Sequence, residues 1–152
     1  MNKKIYIVAI MLIGLLTSCR QATNPQREEM IQPIKVKPTG QLVLQLENEK
    51  VPIIVYNTKI VNGLSGYMPF DVTFNELNGN EIYAELPFAI EASPERVKEV
   101  QAGDVMLFGS STLVIFYETH KTDYQYTKIG KVSDISQIDR LRQILTATIT
   151  DR

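Results

Sequence analysis

From residue 41 onward, apolar side chains recur in short runs with the two-residue period of β-strands. In Gln41–Leu46, the leucines at positions 42, 44 and 46 fall on one face of an extended chain. A strand whose faces differ in this way is half buried. Seven further segments have strand character: Val51–Tyr56, Phe70–Leu77, Glu81–Leu86, Asp104–Phe108, Thr112–Tyr117, Tyr126–Val132 and Thr146–Thr150. The pattern therefore predicts about eight short strands and a mainly β domain, either a small barrel or a sandwich.

Turn and helix signals separate these strands. Asn78-Gly79-Asn80 predicts a tight turn, and Thr58–Tyr67 predicts a short helix that ends near Gly66. We expect Pro87–Val100 to be a loop, with one helical turn beginning at Ser93. A second helix is expected after a cap at Ser133 or Asp134, with an apolar stripe formed by Ile135, Ile138, Leu141, Ile144 and Leu145. One or two short helices thus accompany the strands.

The N-terminus has the layout of an export signal. Lys3 and Lys4 precede the apolar run Ile5–Leu16, which is well short of the roughly 20 residues that a membrane-spanning helix needs. Leu16-Thr17-Ser18-Cys19 resembles a bacterial lipobox, which implies cleavage before Cys19 and acylation of its thiol by fatty acids such as palmitate. Because each buried CH₂ group adds about 0.8 kcal/mol, such a modification anchors a protein to a membrane.

This reading divides the chain into three parts. Residues 1–18 form a lipoprotein signal peptide, residues 19–39 carry the lipid on Cys19 and a flexible tether, and residues 40–152 form the folded domain. Pro25, Pro33 and Pro38, together with mixed polar residues, make the tether too poor in apolar side chains to fold. We therefore expect the domain to lie in the cell envelope, outside the cytoplasm.

The amino-acid composition excludes several kinds of functional site. The chain has one Cys, one His and no Trp. An intramolecular disulfide, a Cys-rich metal centre and a three-histidine site are therefore excluded, and we predict no metal and no cofactor. The formal net charge of −1 gives no basis for binding nucleic acid, which needs a clustered basic surface.

Four segments resemble the bacterial cyclophilin-like domain family. They are Leu77-Asn78-Gly79-Asn80-Glu81, Ala102–Gly109, Leu113–Tyr117 and Tyr126–Val132. The resemblance covers roughly Gln41–Ile149, and it implies a closed eight-stranded β-barrel with one or two short helices. Gly103-Asp104 predicts a turn in which the Asp104 carboxylate caps local N–H groups. Gly130 predicts a bulge or a close approach of two backbones.

The resemblance does not imply a catalytic site in this chain. Prolyl isomerases of the cyclophilin type carry an Arg followed shortly by Phe-Met and Gln, with a Trp and a His elsewhere. The corresponding region here, about Asn62–Glu76, contains no Arg, and Met68-Pro69-Phe70 is only a distorted counterpart. We therefore predict a non-catalytic domain that binds a peptide, a protein or a small ligand. The alternatives are a weak or divergent prolyl isomerase and a structural envelope component.

The candidate ligand groove consists of Tyr117, Tyr124, Tyr126 and His120. Tyr124 and Tyr126 can stack on a ligand, although cross-strand tyrosines that stabilise a hairpin would give the same pattern. His120 lies in a predicted polar hairpin loop, where a solvated side chain accounts for it equally well. Two further pairs are expected to be structural: Phe108 and Phe116 in the core, and Glu81 and Glu85 on the solvated surface.

Overall fold

The computed structural model describes residues 40–143 and 146–151, and the account below concerns these residues. Twelve strands are present among them: β1 (Gly40–Gln45), β2 (Lys50–Val55), β3 (Phe70–Thr73), β4 (Asn75–Leu77), β5 (Glu81–Glu85), β6 (Glu95–Arg96), β7 (Glu99–Val100), β8 (Asp104–Phe108), β9 (Thr112–Phe116), β10 (His120–Lys121), β11 (Gln125–Val132) and β12 (Thr146–Asp151). The helices are α1 (Thr58–Ser65), a 3₁₀ turn (Ile135–Gln137) and α2 (Ile138–Leu141). The domain is mainly β, as the sequence predicts.

The main sheet closes into a barrel. Its strands pair in the order β3-β12-β1-β2-β11-β8-β9-β5-β4, and every pair is antiparallel. β3 and β4 are one strand interrupted at the buried Phe74, so the first half pairs with β12 and the second half with β5. Counted in this way, eight strands form the ring, which is the barrel that the resemblance implies.

The barrel interior is filled by side chains. The inward positions of the strands carry aliphatic residues such as Leu44, Val55, Leu107 and Ile115, all of them fully buried. The void among them measures only about 10 Å³. A space of that size barely admits one water molecule. The interior is therefore a packed core and offers no room for a ligand.

Close backbone contact fixes one part of the ring. At Gly130, a Cβ atom would lie 2.1 Å from the carbonyl oxygen of Ile54 on the neighbouring strand β2. The pairing between β11 and β8 also shifts register between Lys128 and Gly130. The expected close approach at this glycine is confirmed. The Asp104 cap is confirmed as well, since its carboxylate accepts a hydrogen bond of 2.8 Å from the Gln101 N–H.

The observed helices agree in part with those predicted from the sequence. Asn57 caps α1 by accepting hydrogen bonds from the N–H groups of Lys59 and Ile60, and Ile60 and Leu64 are buried against the barrel. Asp134 caps the 3₁₀ turn through Ser136.

The predicted apolar stripe after Asp134 is wrong at its first residue, because Ile135 is exposed, while Ile138 and Leu141 pack on the core. Ile144 and Leu145 lie outside the described residues. Among the residues described, no helix is long and apolar enough to cross a membrane.

The segment between residues 87 and 100 differs from the prediction. In place of a helical turn at Ser93–Arg96, the strand β6 pairs with the start of β11, and β7 pairs with β10. These pairings join residues about 20 to 30 positions apart, so local propensity gives no sign of them. The predicted signal peptide, the lipidated Cys19 and the tether all fall within residues 1–39, outside the described part of the chain.

Candidate functional site

A cavity of about 860 Å³ lies on the outer face of the barrel. Its floor is the outward side of β5, β9 and β8, where the strand register places side chains in two rows. One row is Glu85, Thr112 and Phe108, and the next contains Tyr83 and Val114. Small-molecule sites typically enclose about 300–1,000 Å³, so the cavity has the size of a ligand site.

The wall of the cavity is formed by two segments that are hydrogen-bonded to each other, residues 95–100 and 120–124. The Val97 N–H donates to the Tyr124 carbonyl at 3.3 Å, and the Thr122 N–H donates to the Lys98 carbonyl at 3.1 Å. Beneath the wall, a second apolar cluster packs outside the barrel. Its members are Val97, Val100, Met106, Val114, Phe116 and Tyr126. This cluster attaches the wall to the floor.

Three aromatic rings stand together at the cavity, and we call Phe108, Tyr124 and Tyr126 the aromatic cluster. Phe108 lies 5.9 Å from Tyr124 and 5.7 Å from Tyr126, measured between ring centroids, and the two tyrosines are 6.5 Å apart. Tyr126 is buried, whereas Tyr124 is 64% exposed and Phe108 is 44% exposed. The cluster thus presents both a buried ring and accessible rings to the cavity.

Glu81 is the buried charge of this site. Its side chain lines the cavity and is only 9% exposed. Burial raises the pKa of the Glu81 carboxyl, and the nearby His120 partly opposes that rise. Burial also raises the pKa of Tyr126, and the charge of Glu81 adds to the rise. Glu81, His120 and Tyr126 therefore form one electrostatically coupled group.

The predicted groove residues are partly brought together. Tyr124, Tyr126 and His120 all line the cavity. His120 was predicted in a loop, but it lies in strand β10, where it pairs with Val100. Its ring centroid is 5.6 Å from that of Phe116.

Tyr117 does not line the cavity. Alternation along β9 turns Phe116 outward and Tyr117 inward, where the Tyr117 hydroxyl donates a 2.7 Å hydrogen bond to Glu76 and the Arg142 guanidinium lies 4.7 Å from the ring centroid. Burial and the Glu76 carboxylate raise the pKa of Tyr117 to about 12.

Two of the sequence predictions place residues of this site in the wrong surroundings. Phe108 was expected in the core but is half exposed beside the cavity, whereas Phe116 is fully buried, though outside the barrel. Glu81 was expected on the solvated surface but is buried, and only Glu85 is exposed. A sequence signal for this covered face exists in β9, because Val114 and Phe116 are apolar at outward positions.

Comparison with known families now adds to this geometry. The family model described as the cyclophilin-like family matches residues 44–150. The chain belongs to the cyclophilin-like family. Comparison with curated proteins gives no match. Membership agrees with the closed barrel and accounts for the four sequence segments that resemble this family. It does not by itself assign an activity to the cavity.

A metal ion needs a particular arrangement of acidic and histidine side chains around it. Residues 40–143 and 146–151 contain no group of three or more His, Cys, Asp or Glu side chains arranged to hold a metal ion. Glu85 is already engaged, since its carboxylate accepts a hydrogen bond from the Thr112 hydroxyl at 3.0 Å. The cavity lining offers hydrogen-bonding groups, aromatic rings and charged side chains, of which Glu81 is the buried one.

Proposed function

We propose that this member of the cyclophilin-like family is a lipid-anchored, non-catalytic binding module of the bacterial cell envelope. The observation that carries the binding role is the cavity on the outer barrel face, where the aromatic cluster, His120 and Glu81 converge. Ligand sites typically combine aromatic or apolar surface with polar groups that fix the orientation of the ligand, and this cavity contains both. The ligand is a small molecule or a peptide side chain.

The non-catalytic role is supported by the make-up of the cavity. Weakening the amide resonance of a prolyl bond needs a cationic donor close to the prolyl nitrogen, and the uncatalysed barrier is about 18–20 kcal/mol. The residues that line the cavity include no arginine, and its two lysines, Lys98 and Lys121, are exposed. Exchange NMR on an Ala-Pro peptide should give the same isomerisation rate with and without the protein. A clear acceleration would instead favour a divergent isomerase.

The membrane anchor is supported by the lipobox-like sequence at Leu16-Thr17-Ser18-Cys19. In a bacterial host, Cys19→Ala should leave an uncleaved precursor that lacks acyl chains. Thr17→Ala, which keeps a small residue at that position, should be processed normally. Intact mass spectrometry of both chains distinguishes the results. Normal processing of the Cys19→Ala chain would refute the anchor.

The binding role has a separate test. A fragment set of aromatic amines, alcohols and carboxylates is screened against the full chain in detergent by NMR, with ¹³C-labelled tyrosine rings as reporters. We expect some fragments to shift the ring signals of Tyr124 and Tyr126. Tyr124→Ala should weaken that binding, whereas Tyr67→Ala removes another exposed tyrosine outside the cavity and should leave it intact. If no fragment shifts the cavity signals, the binding role fails.

A further inference from the structure

Among the described residues that line the cavity, Glu81 is the carboxylate whose side chain is buried. Among residues 40–143 and 146–151, no hydrogen bond or ion pair to its carboxylate is found, although its side chain is nine-tenths buried. Glu85 and Glu76 by contrast are held by the hydroxyl groups of Thr112 and Tyr117. The Glu81 side chain lines the cavity, so a ligand that donates hydrogen bonds there would supply the partner that the described residues do not.

No lysine or arginine of the described structure pairs with Glu81. Lys98 and Lys121 lie at the exposed rim, and neither forms an ion pair with Glu81 in the described structure. The charge of His120 acts on Glu81, and the His120 Nδ1 atom lies 3.2 Å from the Glu118 carbonyl oxygen.

Asn80, which precedes Glu81 in the sequence, also has a side-chain acceptor without a partner in the described structure. The Asn80 side-chain oxygen is buried without a partner, and Asn80 also lines the cavity.

The aromatic cluster favours the same kind of ligand. The faces of aromatic rings carry negative potential, and a cation within about 6 Å of a ring centroid is attracted to them. Tyr126 and Glu81 line the same cavity, which brings the cluster and the carboxylate to one site. Phe108 and Tyr124 extend the apolar surface outward from that point.

We propose that the cavity binds an organic cation, with an ammonium or guanidinium group at Glu81 and an apolar body against the aromatic cluster. This inference rests on the proposed function, because it names the ligand class of the same cavity. The cation donates hydrogen bonds to the Glu81 carboxylate, and its body covers Phe108 and Tyr124. Free amines and the Lys or Arg side chains of peptides share this chemistry.

Three probes of equal shape and different charge test the proposal on the full chain: phenethylamine, 2-phenylethanol and 3-phenylpropanoate. Dissociation constants are taken from the NMR shifts of the Tyr124 and Tyr126 rings. We expect phenethylamine to bind at least tenfold more tightly than the other two, since a hydrogen bond to a charged group contributes more than a neutral one. Glu81→Gln keeps the shape of the side chain and should lower the affinity for phenethylamine by about tenfold to a hundredfold. It should leave 2-phenylethanol unchanged.

The wild-type comparison of the three probes stands even if the Glu81→Gln chain does not fold. If 2-phenylethanol or 3-phenylpropanoate binds as tightly as phenethylamine, the cation is not what the cavity selects. The proposal of an organic cation is then wrong, whereas the proposed binding role is unaffected. Equal affinity of the Glu81→Gln and wild-type chains for phenethylamine would also overturn it. If neither the probes nor the fragment set shifts the cavity signals, both proposals fail.

A second pair of probes separates the two sources of the cation. Acetyl-Arg-Phe-amide presents a guanidinium on a peptide, and acetyl-citrulline-Phe-amide presents the same shape without charge. Tighter binding of the Arg peptide than of phenethylamine, lost in the citrulline peptide, identifies a peptide side chain as the ligand. The reverse order, with phenethylamine the tighter, identifies a free amine. Either order supports an organic cation, and equal binding of the two peptides contradicts it.

Discussion

The substitution Gly130→Ala adds a single methyl group at the tightest point of the barrel. The added Cβ atom would meet the Ile54 carbonyl oxygen at 2.1 Å, its carbonyl carbon at 2.9 Å and the Val55 Cα atom at 3.0 Å. Ordinary contact begins near 3.4 Å, so strands β11 and β2 must separate by more than 1 Å to admit the methyl group. All three of these atoms belong to the backbone, so no side-chain rotation can relieve the contact.

Separation on that scale breaks the hydrogen bonds between the two strands. Gly130 is opposite Val55, Lys131 is opposite Ile54, and the Tyr56 N–H donates to the Ile129 carbonyl at 3.0 Å. The net contribution of one such bond is about 1 kcal/mol, and two or three are affected. The buried side chains of Ile129 and Val55 also lose contacts in the core. We therefore expect the free energy of unfolding to fall by about 3 kcal/mol or more.

Urea unfolding followed by circular dichroism measures this loss, and Gly66→Ala is the matched control. At Gly66 an added Cβ atom meets nothing within 4 Å, and φ is −67°, so alanine fits without strain. That substitution should be neutral or stabilise by about 0.4–1 kcal/mol. Neither glycine has a positive φ, so the difference between the variants reports the space around Cβ alone. A Gly130→Ala chain within 1 kcal/mol of the wild type would refute the reasoning.

Four other substitutions address the site and its surroundings. Burial raises the pKa of the Glu81 carboxyl above its ordinary value of 4.5. As the pH rises, this carboxyl therefore ionises in the unfolded chain before it ionises in the folded one, and the free energy of unfolding falls. Glu81→Gln should therefore stabilise the protein at pH 7 and have little effect at pH 4, as measured by urea midpoints. Phe116→Ala should cost about 3–5 kcal/mol because the ring is fully buried, whereas Phe108→Ala, which removes a half-exposed ring, should cost far less. Tyr117→Phe should cost about 1.5–3 kcal/mol through loss of the bond to Glu76 and should remove the phenol that titrates at about 12 in an absorbance titration.

Alternation predicts the strands of this domain well. Of the eight predicted strands, the one over Asp104–Phe108 has the predicted bounds, and most others differ by one or two residues at their ends. The interruption of Phe70–Leu77 at Phe74 is not predicted, because the period of two continues through it and only the partners on either side change. The two-residue strands β6, β7 and β10 are missed for a related reason. They depend on a distant partner and not on their own side chains.

The site is harder to predict than the fold. The aromatic and imidazole side chains of Tyr124, Tyr126 and His120 suggest a ligand surface by their chemistry, and the structure places them together. Glu81 and Phe108 were assigned to the wrong surroundings because alternation tells which face a side chain is on, and not whether that face is covered. The cover comes from residues 95–100 and 120–124, whose strand pairing the sequence does not reveal.

The position of the cavity follows from how the barrel is packed. Since the interior is filled, a ligand can be enclosed only where a second layer stands over the outer face. Strands β6, β7 and β10 contribute only two residues each to pairing, which is too little to hold such a layer in water. Burial of Phe116 and Tyr126 beneath it supplies the remaining free energy. Phe116, a member of this apolar cluster, is also the cross-strand neighbour of Glu81, so the packing that fixes the wall adjoins the buried charge of the site.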